Sequence, residues 1–185
     1  MKTRSNYHGF TLVELMISLG LIAIVLSVAV PSVSNMIKDN RLATQVNSVI
    51  SDIHYARSEA TKRDARVIMC RTLIPNNTPT FCAGLVKNWA TGYLVFVSGD
   101  NNNTYQASTD TLLRRGQPSQ EGTRLRTNET WNNNLEINPT GTLNESGTAI
   151  MAFCDDRGNS YGRQITIPMS GSPRMSSNNI ASCTP

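Results

Sequence analysis

The hydrophobic and polar positions along the chain fall into three successive patterns, and the first is an apolar run from Phe10 to Val30. One acid, Glu14, interrupts the run. As an α-helix the run would extend roughly 31 Å, which matches the roughly 30 Å hydrocarbon core of a bilayer. This pattern predicts a membrane-spanning helix. Placing a carboxylate inside such a helix costs roughly 2.5–3.5 kcal/mol of insertion free energy. We therefore expect Glu14 to have a function.

The second pattern is amphipathic and follows Pro31. Apolar residues recur at alternating intervals of three and four positions, which places them on one face of a helix. Polar residues, Asp52 among them, fill the other positions, and Glu59 and Arg63 form a favourable i,i+4 pair. Together the two patterns predict one helix over about 11–62, kinked near Pro31, whose second half packs on a globular domain. The apolar face consists of Leu42, Val46, Val49, Ile53, Ala56 and Ala60.

The third pattern begins after Asp64, where short apolar runs with a period of two are separated by stretches rich in Asn, Gly and Ser. Such runs are typical of strands joined by turns. A long helix followed by an antiparallel sheet is an α+β arrangement. The predicted strands are 65–71, 92–97, 111–114, 135–138, 149–154, 162–167 and 173–176.

Composition adds little to this picture. Aromatic residues make up only 6% of the chain, and the formal net charge is +4. Few aromatic residues suit a small, loop-rich β domain better than an enzyme with a large pocket. A charge surplus this mild does not by itself indicate a nucleic-acid partner.

The four cysteines predict disulfides rather than a metal site. None forms a C-x-x-C pair, and the two histidines lie far from them in sequence, so we expect no zinc. An even number of cysteines behind an export-type N-terminus is typical of an oxidising compartment. More than one pairing is open, and the sequence-local choice is Cys70–Cys82 with Cys154–Cys183.

The stretch GFTLVELMISLGLIAIVLSVAVP resembles the N-terminus of type IV pilins and of type II secretion pseudopilins. An ordinary secretory signal has a shorter apolar core and a cleavage site after it, and neither is present here. The resemblance implies that a prepilin peptidase cuts between Gly9 and Phe10 and methylates Phe10. It also implies that Glu14 pairs with the α-amine of Phe10 on a neighbouring subunit, which would fix the register between helices.

The same resemblance implies a pilin fold in three parts. Residues 1–9 would be a cleaved prepilin leader, and 10–37 a transmembrane helix that later joins the filament core. Residues 38–185 would form a periplasmic head, helical to about 62 and then β-rich. The chain would sit in the bacterial inner membrane, single-pass with its head in the periplasm, before it enters a filament.

Later segments resemble the GspH/FimT branch of this class. They are YARSEATKR at 55–63, WATGYLVF at 89–96 and the closing GNSYGRQITIPMSGSPRM. The resemblance implies a minor pilin of a type IV pilus, non-enzymatic and without a cofactor, placed at or near the filament tip. Its partners would be other pilins, contacted through the N-terminal helix, the prepilin peptidase and the inner membrane. Two alternatives stay open: an H-type pseudopilin of a type II secretion system, and a DNA-binding pilin of natural transformation.

Two motifs suggest other chemistry and are not favoured. Gly158–Gly162 spells G-x-S-x-G, but a hydrolase of that type needs a histidine after the serine, and none follows Ser160. The stretch after Asp100 has Tyr105 where a calcium-binding EF-hand loop has glycine. We therefore expect turns at both places, and neither an enzyme nor a metal site.

Basic residues near the C-terminus raise the DNA alternative. Arg157, Arg163 and Arg174 are expected to hold phosphates if they gather with Arg71 on one surface. Some FimT-like pilins bind DNA through a Gly-Arg-x-Arg motif, and residues 171–174 match it except that Ser172 replaces the first arginine. With half of the motif missing, solvated arginines on a sheet are the favoured interpretation.

Overall fold

The computed structural model describes residues 9–72, 82, 89–100, 102–117, 119, 122–127, 134–144 and 147–176. Helix α1 spans Leu12–Arg63, so the predicted long helix is confirmed, including its passage through Pro31. The chain divides into one compact unit up to Asp39 and a second from Asn40 onward, and α1 contributes to both. The kink at Pro31 stays a prediction.

The first unit is the apolar part of α1. Thr11 precedes the helix and caps it, because its Oγ1 accepts a hydrogen bond of 3.2 Å from the backbone N–H of Glu14. Among the described residues of this unit no side chain is buried. By length and composition this part of α1 can cross a membrane.

The second unit, the head, contains two antiparallel four-stranded sheets rather than the single sheet expected. Sheet A has the order β3-β2-β1-β5, and sheet B has the order β4-β6-β7-β8. The strands are β1 (Val67–Arg71), β2 (Tyr93–Val97), β3 (Thr111–Gly116), β4 (Arg124–Thr127), β5 (Asn134–Ile137), β6 (Ala149–Cys154), β7 (Arg163–Ile167) and β8 (Arg174–Ser176).

Strand β4 is absent from the sequence-based prediction. Its four residues read RLRT, with Leu125 as the one large apolar side chain. So short a segment carries too little alternation to identify a strand. It forms because β6 pairs with it, Leu125 opposite Phe153, at the edge of sheet B.

The core of the head lies between α1 and both sheets. All six residues of the predicted apolar face of α1 are buried, which confirms that prediction. They share one hydrophobic cluster with Met69 and Val95 of sheet A and with Phe153 and Ile165 of sheet B. The two sheets are therefore held together by one helix face.

A second, smaller cluster covers the other face of sheet A. It contains Ile68, Leu94, Phe96 and Tyr105 together with Cys70. The disulfide between Cys70 and Cys82 adjoins it, with the two Cα atoms 5.3 Å apart, as the sequence predicts. Strands β1 and β2 of sheet A are thus buried on both faces. Cys154 is also disulfide-bonded, and its predicted partner Cys183 lies outside the described residues.

Candidate functional site

The N-terminal site is a short polar motif at the start of an apolar helix. Gly9 and Phe10 precede α1, and 82% of Phe10 is exposed. Glu14 lies in the first turn of α1, three residues after the capping Thr11, which is the spacing of a capping box. A negative charge is favoured there by the helix dipole. The motif therefore presents an exposed carboxylate one turn from the proposed cleavage point.

A polar cluster around the buried Asp52 joins α1 to sheet A in the head. The hydroxyl of Tyr93 donates a 2.6 Å hydrogen bond to Oδ2 of Asp52, and Nη1 of Arg114 lies 2.5 Å from Oδ1. The Arg114 guanidinium also stacks 4.4 Å from the ring centre of Tyr55. Burial and the bond to Asp52 raise the pKa of Tyr93 above its ordinary value of 10.0. The phenol therefore stays neutral and remains a donor at physiological pH.

Assigning Asp52 to the solvated face of α1 was wrong, because Asp52 is buried. It lies three residues after Val49 and four before Ala56, so it belongs to the apolar face. The spacing of Asp52 from Val49 and Ala56 is the signal in the sequence that identifies it as a residue of the buried face. Glu59 is buried as well, and its predicted pairing with Arg63 is confirmed, since Nε of Arg63 lies 2.6 Å from Oε2.

Two of the four candidate DNA-contacting arginines are committed to other roles. Arg71 is buried on β1 of sheet A, and burial lowers its pKa. Arg157 binds Asp155 through Nε at 2.9 Å and Nη2 at 2.6 Å, and it stacks 4.4 Å from the ring centre of Tyr161. Arg157 therefore shapes the turn between β6 and β7.

The other two arginines lie on opposite faces of sheet B. Arg174 pairs with Thr166, whereas Arg163 pairs with the buried Phe153 and lies two residues before the buried Ile165, on the same face of β7. Because directly paired residues share a face and neighbours alternate, Arg174 is on the outer face and Arg163 on the inner one. The structure does not bring the four arginines together.

The outer face of sheet B carries two arginines that the sequence analysis missed. Arg126 pairs with Ala152, and Arg124 pairs with Cys154. Both lie on the face that holds Arg174, away from the core. They were missed because β4 was missed, since only the strand register shows which arginines share a face.

The glycine of the partial Gly-Arg-x-Arg match is explained by packing. Gly171 has a φ of +73°, and a Cβ atom there would lie 2.3 Å from the carbonyl oxygen of Gly141. The guanidinium of Arg57 fills the remaining space, and its Nε donates a 2.9 Å hydrogen bond to that same carbonyl. Arg57 on α1 thus holds the turn after β5 against the turn after β7.

We expect Gly171→Ala to destabilise the head by about 2–3 kcal/mol, because alanine meets both the positive φ and the backbone of Gly141. Gly122→Ala is the matched control, since Gly122 has a φ of +81° but nothing within 4 Å of its added Cβ. The control should lose only about 1 kcal/mol. Urea unfolding of a fragment beginning at Asn40 measures both. Equal losses would contradict the packing explanation.

The G-x-S-x-G stretch forms a turn. Asn159–Tyr161 is a short 3₁₀-helix between β6 and β7, and a nucleophile elbow instead needs a strand followed by an α-helix. Across the described ranges, no group of three or more His, Cys, Asp or Glu side chains is arranged to hold a metal ion.

Comparison with models of known protein families shows to which family the chain belongs. A family model described as type II transport protein GspH matches residues 45–171, more than half of the chain. The chain belongs to the GspH family. A second model, the prokaryotic N-terminal methylation motif, matches residues 4–30 of this GspH-family protein and includes Gly9, Phe10 and Glu14. A search of curated proteins finds no match.

Solved structures show the same fold. Type IV minor pilin FimU from Pseudomonas aeruginosa, in a crystal form of space group P21, matches with a TM-score of 0.59 and 19% identity, over 80% of this chain and 98% of that one. A second FimU crystal form, P65, gives a TM-score of 0.56 and 18% identity, over 77% of this chain and 100% of that one. The predicted α+β pilin fold is confirmed. Family and fold are those of structural pilins, which assemble with other pilins in filaments.

Proposed function

We propose that this GspH-family chain is a minor pilin of a type IV pilus, a structural subunit placed at or near the filament tip. One combination carries the proposal: an N-terminal methylation motif precedes a head with the fold of a type IV minor pilin. The N-terminal motif supports cleavage by a prepilin peptidase and anchoring in the membrane before assembly. The fold of the head supports the assignment to the minor pilins.

The proposed life cycle follows from the N-terminal motif. Prepilin peptidase removes residues 1–9 by cutting between Gly9 and Phe10, and Phe10 is then methylated. Before assembly, residues 10–37 anchor the chain in the inner membrane as a single span, with 38–185 in the periplasm. The apolar surface of α1 supports both stages, because its exposed side chains suit lipid before assembly and other helices afterwards.

A second candidate function is that of an H-type pseudopilin of a type II secretion system. The observation in its favour is the description of the matched family model, which names a type II transport protein. Both candidates require the same processing and the same helix-mediated assembly. They differ in the filament that the subunit joins.

We do not propose a role in DNA uptake or in catalysis. Arg71 and Arg157 are engaged within the head, Arg163 and Arg174 lie on opposite faces of sheet B, and the glycine of the partial motif is required by packing. The serine turn at Ser160 lies in a connection between two strands. These placements support a structural subunit.

Mass spectrometry of sheared filaments tests the proposed function. We expect the protein in the pilus fraction as a form that begins with methylated Phe10, and we expect its deletion to reduce surface pili. Measuring exoprotein secretion in the same deletion strain is the control. Lost secretion with normal pili would favour the pseudopilin, and an unprocessed chain absent from both kinds of filament would overturn both candidates.

A further inference from the structure

An open cleft of about 180 Å³ lies in the head beside α1, near the end at which the chain enters this unit. Its floor is apolar and consists of Val49, Leu125 and Phe153. Its mouth includes the exposed hydroxyl side chains of Thr44 and Ser48. We call this feature the helix cleft.

The size and chemistry of the helix cleft limit what it can hold. Sites for small-molecule ligands usually enclose roughly 300–1,000 Å³, whereas a water molecule occupies roughly 30 Å³ of liquid. The described residues that line it are uncharged. An apolar floor with a neutral polar rim is the usual form of a pocket for one anchoring side chain of a protein partner.

The wall of the cleft also contains an unsatisfied acceptor. Gln45 donates through Nε2 to Oγ1 of Thr123 at 2.7 Å, but its Oε1 is buried and finds no donor within the described part of the chain. Buried polar atoms are rarely left without a partner. Gln45 therefore leaves one buried hydrogen-bond acceptor unpaired in this wall of the cleft.

The exposed apolar surface of the chain indicates which side chain the cleft accepts. Large exposed apolar residues in the described ranges lie on the N-terminal segment between Phe10 and Ile37, and the head adds only Tyr161, Met169 and Met175. A second pilin of this kind therefore offers apolar side chains mainly from its own helix. One wall of the cleft is α1 itself, the element through which such subunits assemble under the proposed function.

We propose that the helix cleft receives an apolar side chain from α1 of a neighbouring pilin subunit. This inference rests on the proposed function, because it needs a filament in which the heads lie beside neighbouring helices. The uncharged lining of the cleft suits the apolar side chains of a neighbouring α1. The size of the cleft limits how far such a side chain can enter. It therefore sets how a head and a neighbouring helix align.

A photo-crosslinking residue at Ser48 of the full chain identifies the occupant directly. Ser58 is the matched control, because it is also an exposed serine of α1 but does not line the cleft. After irradiation of intact filaments, we expect the Ser48 product to join a peptide from the apolar N-terminal helix of a pilin, without the same product from Ser58. A crosslink to a head peptide, to lipid or to a protein other than a pilin would overturn the proposal. So would a yield no higher than that at Ser58.

Filling the cleft gives an independent measurement. Thr44→Trp should lower the amount of the protein in filaments by about tenfold or more, as expected when an interface anchor is lost, while Ser58→Trp should not. Thermal unfolding of both variants must match the wild type within a few degrees. Normal incorporation of a folded Thr44→Trp variant would overturn the cleft but leave the minor pilin intact, whereas absence of the wild type from filaments would overturn the proposed function itself.

Discussion

Glu14→Ala is expected to remove the protein from filaments while leaving its synthesis, insertion and cleavage intact. If Glu14 neutralises the α-amine of Phe10 on a neighbour, the variant places that amine unpaired in an apolar bundle. Losing one partner of a buried ion pair costs roughly 3–5 kcal/mol, and each 1.4 kcal/mol is about a tenfold change in an equilibrium. The amount in sheared filaments should therefore fall by about a hundredfold or more.

The other steps provide internal controls for this variant. Membrane insertion should hold or improve, because a charge has left the apolar segment. Cleavage after Gly9 should persist, because the scissile bond is unchanged. Ser18→Ala is the matched control in the same helix, since the Ser18 hydroxyl donates within the helix to the carbonyl oxygen of Glu14, and it should assemble normally. Immunoblots of filament and membrane fractions measure both variants, and wild-type amounts of Glu14→Ala in filaments would show that the carboxylate is not needed.

Asp52→Ala should destabilise the head by about 3–4 kcal/mol. The substitution leaves the Tyr93 hydroxyl buried without an acceptor, which costs about 1–3 kcal/mol, and it removes the carboxylate that binds Arg114. The penalty stays at the low end for a broken buried pair, because 45% of the Arg114 side chain is exposed and water can solvate it. For a unit of this size we expect the melting temperature to fall by about 6–16 °C.

Two further variants separate the causes of this loss. Asp52→Asn keeps an acceptor for Tyr93 but loses the charge, so it should be intermediate. Ser51→Ala removes an exposed hydroxyl from α1 next to Asp52 and should change the unfolding free energy by less than about 0.5 kcal/mol. Thermal unfolding of the fragment beginning at Asn40 compares all three. An Asp52→Ala variant as stable as Ser51→Ala would mean that the cluster does not hold α1 to sheet A.

Stability above neutral pH should also depend on this cluster. The folded state raises the pKa of Tyr93 above its ordinary value of 10.0. The stabilisation from the neutral phenol is therefore fully present below about pH 10 and is lost as the pH rises further, because the unfolded chain ionises first. The same alkaline range thus weakens the contact that Asp52→Ala removes.

The sequence by itself determined those features that depend on neighbouring residues. Helix α1 and all the strands except β4 follow from local periodicity. The apolar face of α1 from Leu42 to Ala60 is buried, as the spacing of its residues predicts. The Cys70–Cys82 pairing was also accessible, because its cysteines are only 12 residues apart. The N-terminal motif is a contiguous stretch, so its residues could be named without any fold.

The tertiary structure alone decided which distant residues meet. Asp52 is a buried hydrogen-bond partner of Tyr93 and Arg114, which lie 41 and 62 residues away in the sequence on strands of sheet A. Only the fold brings these three residues into contact. Strand β4 exists because β6 supplies its pairing partners, and the faces assigned to Arg163 and Arg174 depend on strand register. A single sequence reports the period of each segment but not the register between segments, since a shift of one residue moves every side chain to the opposite face.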